Sequence, residues 1–332
     1  MFQKILGKGT YSKVVECSVV SNPLLRVALK VFRGESSYDD ACRDEVKVLQ
    51  QLAEPLAPGG PPTPFLLQPL DTIAHPKHHV IVFPLCAGSL YDLIRLLKQR
   101  RGAHFATGFI RKVALQILLC LKEVHSRGLV HTDIKPENIL LESLDVTEWP
   151  SEGGARVRLD LINANVKVHD FGSAVPEPKG AEGSTIQTRH YRAPEVIYGC
   201  TWSHKADIWS VGCLLAELGT GKATLFMTHH DEEHLAMIER TIGHIPFEKR
   251  KMVFGRGRKF EALVSSLQRL WRAGKPRSCF SLDYIRRQQP LREMDCPHRR
   301  LASLCEKMME WDPQARLSAA EALRDPFFEE DA

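Results

Sequence analysis

Two aspartates, 37 residues apart, set the tightest limit on what this chain can fold into. Asp133 lies in HTDIKPENILL (residues 131–141) and Asp170 in VKVHDFGSA (166–174). The first segment orders an acid, a base and an amide at Asp133, Lys135 and Asn138. Asp133 is placed to accept a proton or orient a hydroxyl. Lys135 can neutralise a transferred anion, and the Asn138 amide oxygen suits a hard cation such as Mg²⁺. A polar turn after a helix accounts for Pro136 but not for the ordered set. Asp170 supplies a second carboxylate for a metal, followed by Phe171 and by Gly172, which allows a sharp turn. The two segments act together only in a fold that brings both carboxylates to one cleft, opposite an ammonium. Lys30 in VALKVF is the candidate, with Glu45 on the following helix to hold it. A solvent-facing lysine is the other reading of that position.

The rest of the pattern fits a cleft between unlike halves. VVECSVV (Val14–Val20), a turn at SNPL and RVALKVF (Arg26–Phe32) read as strands. A helix capped by Ser36 or Ser37 carries Cys42, Val46, Leu49 and Leu52 on one face. HHVIVFPL (His78–Leu85) is another strand. Beyond Gly88 the chain turns helical. Ile110, Val113, Ile117, Leu121 and Val124 repeat at helical spacing up to Gly128, and KADIWSVGCLLAEL (205–218) is apolar on nearly every side, as a central buried helix is. Glycines at 7 and 9 in LGKGTYSKVV serve either a plain hairpin or a phosphate-covering loop.

The bulk properties narrow the class. The net charge of +5 allows acidic ligands such as nucleotides without requiring nucleic acid. The basic run from Lys249 to Lys259 reads as solvated surface rather than a polyanion site. The nine scattered cysteines form no CxxC pair, which argues against a zinc knuckle or disulfide framework and for reduced thiols. No apolar run has the length of a signal peptide or membrane span. A soluble intracellular protein is expected.

Taken together, these segments resemble the eukaryotic protein kinases from Leu6 to about Phe328. Within them the chain looks like the CMGC group and its LAMMER (Clk-type) branch. The residues behind this are HTDIKPEN with its threonine, STIQTRHYRAPEVI, and EHLAMIERTIG (Glu233–Gly243), which is close to that branch's EHLAMMERILG signature. The resemblance implies an α+β bilobal protein-kinase fold over residues 1–332. A small lobe (1–85) holds an antiparallel β-sheet with one helix, and a larger helical lobe spans 86–332. Inserts are implied near 142–165, where the branch carries a hairpin, and near 244–300, of CMGC type. The chain starts almost at its first strand, whereas LAMMER kinases usually carry a long polar N-terminal extension.

The resemblance also assigns residues. Leu6, Gly7, Gly9, Ser12 and Val14 would cover the phosphates of ATP, with Ser12 at the place of a third glycine. Val14, Ala28 and Leu140 would sandwich adenine, with Phe83 as gatekeeper, Leu85 and Cys86 on the hinge, and Asp92 near the ribose. Lys30, paired with Glu45, would contact the α- and β-phosphates. Asp133 would be the base, with Lys135 near the γ-phosphate, and Asn138 and Asp170 would hold Mg²⁺. Asp207 would tie down the catalytic loop, and Glu195 would pair with Arg316 beneath the substrate platform that includes Arg192. His169 reads as a variation lining the pocket. Cys86 is either an inert hinge residue or a thiol open to a cleft-binding electrophile.

An active kinase for Ser/Thr, with Tyr left open, is the leading expectation. Its substrates would be proteins, of basic or Arg/Ser-rich type, with no direct nucleic acid or membrane partner. It would be a monomeric catalytic domain in the nucleus, the cytoplasm or both. A pseudokinase scaffold and a small-molecule kinase of the same fold are the alternatives. Thr132 stands where many kinases place an arginine that binds a phosphate on the loop at 173–192. A charge-assisted hydrogen bond worth about 1.5–3 kcal/mol is thus unavailable. Ser184, Thr185 and Thr188 are read as exposed hydroxyls open to modification. The loop should order itself mostly without phosphate. Turnover is therefore expected to survive phosphatase treatment, and a fall of about a hundredfold, the upper worth of that missing bond, would refute this.

Overall fold

A computed structural model describes residues 1–33, 36–56, 62–75, 78–100, 103–150, 157–177, 184–221, 224–273, 285–293 and 299–329. Five strands, β1 (Phe2–Lys8), β2 (Ser12–Val19), β3 (Asn22–Phe32), β4 (Asp71–His75) and β5 (His78–Pro84), make an antiparallel sheet in the order β1-β2-β3-β5-β4. The turn expected at SNPL lies earlier. The chain reverses at Val20–Ser21, with Val19 opposite Asn22, and Pro23 falls inside β3. A register shift beside Ser18 accommodates it, because a residue without N–H is tolerated at a bulge. Register then decides which side chains share a face. Val14 lies opposite Lys30, and Ala28 lies opposite Phe83, so all four point to the same side.

That side meets α1 (Ser36–Ala53). Cys42, Leu49 and Leu52 of α1 are buried as the spacing predicts, and Val46 is half-buried. The side chains at its first residues, where Ser36 or Ser37 was expected to cap, lie outside the described residues. Glu45 is buried within the same stripe, and a carboxylate in that position needs a cationic partner.

The larger part is helical: α2 (Leu90–Lys98), α3 (Thr107–Ser126), α4 (Pro194–Tyr198), α5 (Lys205–Thr220), α6 (Asp231–Thr241), α7 (Phe247–Phe254), α8 (Phe260–Ala273), α9 (Arg299–Met308) and α10 (Ala319–Ala322). In α5 every residue from Ala206 to Gly219 is buried. Gly212 lets α9 approach closely, since a Cβ there would lie 2.7 Å from Met309 Cγ and 3.1 Å from Met308 Cβ. Short strands line the junction of the two parts. β6 (Gly88–Ser89), β9 (Ile139–Leu141) and β12 (Val166–Val168) form one small sheet, and β8 (Leu129–Val130) pairs with β13 (Val175–Pro176). Between β9 and β12, β10 (Val146–Pro150) and β11 (Val157–Leu161) pair antiparallel, and β11 runs parallel to β7 (His104–Phe105).

The basic run is not wholly solvated, contrary to its reading from sequence. Lys249, Lys251, Arg256 and Arg258 are exposed, but Arg250 is buried, bonded to Glu239 and to the Ile245 carbonyl. One face of α7 turns inward, and a buried guanidinium there requires a carboxylate.

A second buried pair ties α4 to the C-terminal segment. Arg316 donates to both oxygens of Glu195, at 2.7 and 2.8 Å, and its guanidinium lies 5.1 Å from the Trp209 ring. Both side chains are fully buried. Arg316→Ala leaves the Glu195 charge uncompensated and is expected to destabilise the fold by about 3–5 kcal/mol. The midpoint of denaturant unfolding measures this, and an unchanged midpoint would show that the pair contributes nothing.

Candidate active site

Three elements meet at one ammonium. Lys30 Nζ on β3 donates to Glu45 Oε1 and Oε2 of α1, at 2.7 and 2.6 Å. It also donates to Asp170 Oδ1, just beyond β12, at 2.7 Å. Lys30 and Glu45 are largely shielded from solvent, whereas the Asp170 side chain keeps 39% of its exposure, toward the cleft. Burial works to lower the Lys30 pKa, but the charges of Glu45 and then Asp170 outweigh it and hold the ammonium above its usual range. Burial likewise works to raise the Asp170 pKa, and the Lys30 charge overcomes it, so this carboxyl lies well below the usual carboxylate range. Gly172 leaves room for the meeting: a Cβ there would crowd Glu45 Oε2 at 3.0 Å and touch Asp170 Oδ1 at 3.5 Å. Phe171 is buried beside it and packs edge-on against the His131 ring, with centroids 4.7 Å apart.

The segment after β8 is held from below by α5. Asp207 accepts from the backbone N–H of His131 and of Thr132, each at 2.9 Å, and contacts His125 Nε2 at 2.9 Å. Burial works to raise the pKa of this carboxyl, and the His125 hydrogen bond, followed by nearby histidine charges, brings it below its usual value. Thr132 has φ of 68°, a left-handed conformation costly for a β-branched residue. Two bonds enforce it: the one to Asp207, and one from Thr132 Oγ1 to the Ser173 carbonyl at 2.7 Å. The threonine thus ties the 131–141 segment directly to the residue after Phe171-Gly172.

The Asp133 carboxylate is oriented by four donors. Thr188 N and Oγ1 meet Oδ1 at 3.2 and 2.6 Å. Lys135 Nζ and Asn138 Nδ2 meet Oδ2 at 2.7 and 3.2 Å. Asn138 Nδ2 also donates to the Asp133 carbonyl at 2.8 Å, which turns the amide oxygen the other way. Beside Asn138 runs the strand leading to Asp170, for His169 N donates to the Asn138 carbonyl at 3.1 Å. One amide oxygen, from the turn just before β9, and one carboxylate oxygen, just beyond β12, are hard donors that fit Mg²⁺, which ordinarily takes its remaining ligands from phosphate and water.

The remaining site residues fall on both walls. Leu6 is exposed and Gly7 half-buried on β1, and Gly9 N donates to the Ser12 carbonyl at 2.9 Å to close the glycine turn. Ala28 and Phe83 are buried, and Val14, Leu85, Cys86 and Leu140 are half-buried against the core. Burial, followed by the Glu142 charge, pushes the Cys86 thiol up, which favours its inert reading. Asp92 has a structural duty that its sequence assignment overlooked. Its Oδ2 accepts from Ser89 N and Oγ, at 3.0 and 2.7 Å, as half of the capping box that starts α2. Thr188 is not an exposed hydroxyl, since Oγ1 donates to Asp133 and accepts from Lys135 at 3.0 Å. Ser184 and Thr185 are exposed, and Ser184 Oγ accepts from Trp202 Nε1 at 3.1 Å. Arg192 donates to the carbonyls of Ile186 and Gln187, at 3.0 and 2.9 Å.

His131 is the contributor that sequence reasoning passed over. Its Nδ1 accepts from Asp133 N at 3.2 Å and its Nε2 meets the His169 carbonyl at 3.1 Å, which assigns the proton to Nε2. One imidazole thus spans the segments of both aspartates. Its place two residues before Asp133 was the available signal. His169 in turn meets the Glu137 carbonyl through Nε2, at 3.1 Å.

Comparison with known proteins agrees with this geometry. The family model described as the protein kinase domain matches residues 1–328. The human dual specificity protein kinase CLK1 is 39% identical over 330 residues, covering 98% of this chain and 64% of the relative. The Arabidopsis thaliana serine/threonine-protein kinase AFC2 is 36% identical, covering 97% of this chain and 75% of the relative. A crystal structure of a kinase domain superposes with a TM-score of 0.83 at 28% identity, covering 99% of this chain and 95% of that one. The chain therefore spans about two thirds of the human relative's length. From the matched domain, the two relatives and the bilobal architecture, the chain belongs to the protein kinase family, in its CMGC group and Clk-type (LAMMER) branch.

Proposed function

We propose that this chain transfers the γ-phosphoryl group of ATP to serine or threonine hydroxyls of protein substrates, with tyrosine as a further acceptor. The observation that carries the reading is one connected set of contacts. Asp133 is bonded to Asn138, Asn138 to the backbone leading into Asp170, and Asp170 to Lys30.

In this reading Asp133 accepts the hydrogen of the substrate hydroxyl and orients its oxygen, taking the place now filled by Thr188 Oγ1. Lys135 lies beside that carboxylate to meet negative charge on the transferred group. Lys30, steadied by Glu45, contacts the α- and β-phosphates. The chemistry that bound Mg²⁺ supplies, held through Asn138 and Asp170, is neutralisation of phosphate charge. Val14, Ala28 and Leu140 enclose adenine, with Phe83 behind it, Leu85 and Cys86 along its edge and Asp92 toward the ribose. Leu6, Gly7 and Gly9 close over the phosphates. Asp207 holds the catalytic segment, and Glu195 with Arg316 holds the substrate platform. Positioning and charge neutralisation supply most of the rate in such transfers.

The residues of this set are all present and mutually bonded, which favours catalysis over a pseudokinase scaffold. Basic or Arg/Ser-rich proteins are the substrate class that the family resemblance suggests, in the nucleus, the cytoplasm or both, acted on by a monomeric domain. No helix among the described residues is long and apolar enough to cross a membrane.

A radiolabelled-ATP assay on a peptide library tests the reading. The wild-type chain should label peptides, and Asp133→Asn should lose about 10²–10⁴-fold in turnover. Equal labelling by both forms would remove Asp133 from the mechanism, and no labelling by either would leave the scaffold reading.

A further inference from the structure

We propose that Arg127 is a positioning residue for the phosphoryl-transfer site: from the larger lobe it caps the C-terminus of α1, and so sets where Glu45 meets Lys30. This inference rests on the reading of Lys30 and Glu45 given above.

The last turn of α1 contains no basic residue of its own. A helix C-terminus carries carbonyls without intrahelical partners and the negative end of the macrodipole. Here the missing cation comes from another element. Arg127 Nη1 donates to the Gln51 carbonyl at 2.7 Å and Nη2 to the Glu54 carbonyl at 2.6 Å. The planar fork of the guanidinium spans both acceptors, which a lysine ammonium cannot do with the same geometry. Thr63 Oγ1 takes the Leu52 carbonyl at 2.7 Å, and Glu54 N takes that of Gln50 at 3.2 Å. The end of the helix is therefore pinned on two sides, by Thr63 from the linker to β4 and by Arg127 from the end of α3.

Arg127 itself is held by the catalytic segment. His125, two residues before it, contacts Asp207. Gly128, one residue after it, turns the chain with φ of 68° and accepts at its carbonyl from Glu177 N at 2.8 Å. β8 follows, paired with β13, and then the His131 and Thr132 amides reach Asp207. The stretch of chain that grips α1 thus becomes the catalytic loop within four residues. Glu45 lies six residues before Gln51, about 9 Å along the helix axis. A tilt of α1 about a loosened end that moved Glu45 by about 1 Å would break its short contacts with Lys30. Arg127 in this way couples the register of α1 to that of the Asp133 loop.

The test is a double-mutant cycle on the purified chain, with steady-state kinetics on a peptide substrate and thermal unfolding of each variant. Arg127→Ala is expected to lower kcat by about tenfold, the rate equivalent of one charge-assisted hydrogen bond, with the KM for peptide unchanged. Arg127→Lys should recover part of that loss. In the Glu45→Gln background, Arg127→Ala should cost nothing further, because both changes act through one contact. A merely structural role would give additive losses and would overturn the proposal. So would an unchanged kcat in Arg127→Ala when Glu45→Gln alone is impaired. If Glu45→Gln itself leaves kcat unchanged, the Lys30–Glu45 reading falls, and this proposal with it. Should Arg127→Ala unfold at assay temperature, Arg127→Gln carries the same cycle, since its shorter amide cannot bridge both carbonyls.

Discussion

The structure depends on a single ammonium shared by two carboxylates. Lys30 reaches Glu45 and Asp170 within 2.7 Å of each, and in doing so joins β3, α1 and the turn after β12. Lys30 or Glu45 left alone in this setting would cost several kcal/mol, of order 3–5 when a partner is removed, because both are shielded from solvent. The three groups therefore stabilise one another only when the two lobes are in register. They also carry one more negative than positive charge. That imbalance faces the cleft, because Asp170 is the most exposed of the three. A cation brought to Asp170 and the nearby Asn138 oxygen would meet charge already poised for it.

The same economy of buried charge recurs below the cleft. Asp207 lies fully buried in α5, yet it accepts from two backbone amides and one imidazole, so its charge is matched by hydrogen bonds. What it secures is a strained backbone. Thr132 and Asp170 adopt φ of 68° and 65°, the first held by its bonds to Asp207 and the Ser173 carbonyl and the second by the Lys30 ammonium. Strain of this kind persists only where the surroundings over-determine it. For Thr132 the Asp207 carboxylate and the Ser173 carbonyl do so. This gives the threonine between His131 and Asp133 a positive role, where the sequence suggested only the loss of an arginine.

Much of this was legible before any coordinates. The α1 stripe of Cys42, Leu49 and Leu52 and the all-round apolarity of α5 follow from periodicity, since burial on one face or on every face leaves a direct trace in residue order. The ordered set Asp133, Lys135 and Asn138 follows from chemistry, because few structural reasons collect those types at that spacing. Other features left no such trace. The position of the β2–β3 turn depended on a register shift at Ser18 that let Pro23 enter a strand. The inward face of Arg250 depended on Glu239 arriving from another helix. Asp92 looked like a ligand-facing carboxylate, but its spacing to Ser89 also satisfies a capping box, and local hydrogen bonding claimed one of its oxygens.

The sequence by itself determined the inventory: two lobes of unlike structure, a glycine turn between the first strands, and the acids, bases and amide that meet at the cleft. Each of those depends on residue type and on spacing along the chain, which fold cannot alter. Tertiary structure alone decided the partnerships: which carboxylates share Lys30, which carbonyl Thr132 reaches, that Thr188 occupies Asp133, and that Arg127 closes the end of a helix more than seventy residues away. Hydrogen bonds reach about 3 Å, so they are set by distances in space that linear order does not encode.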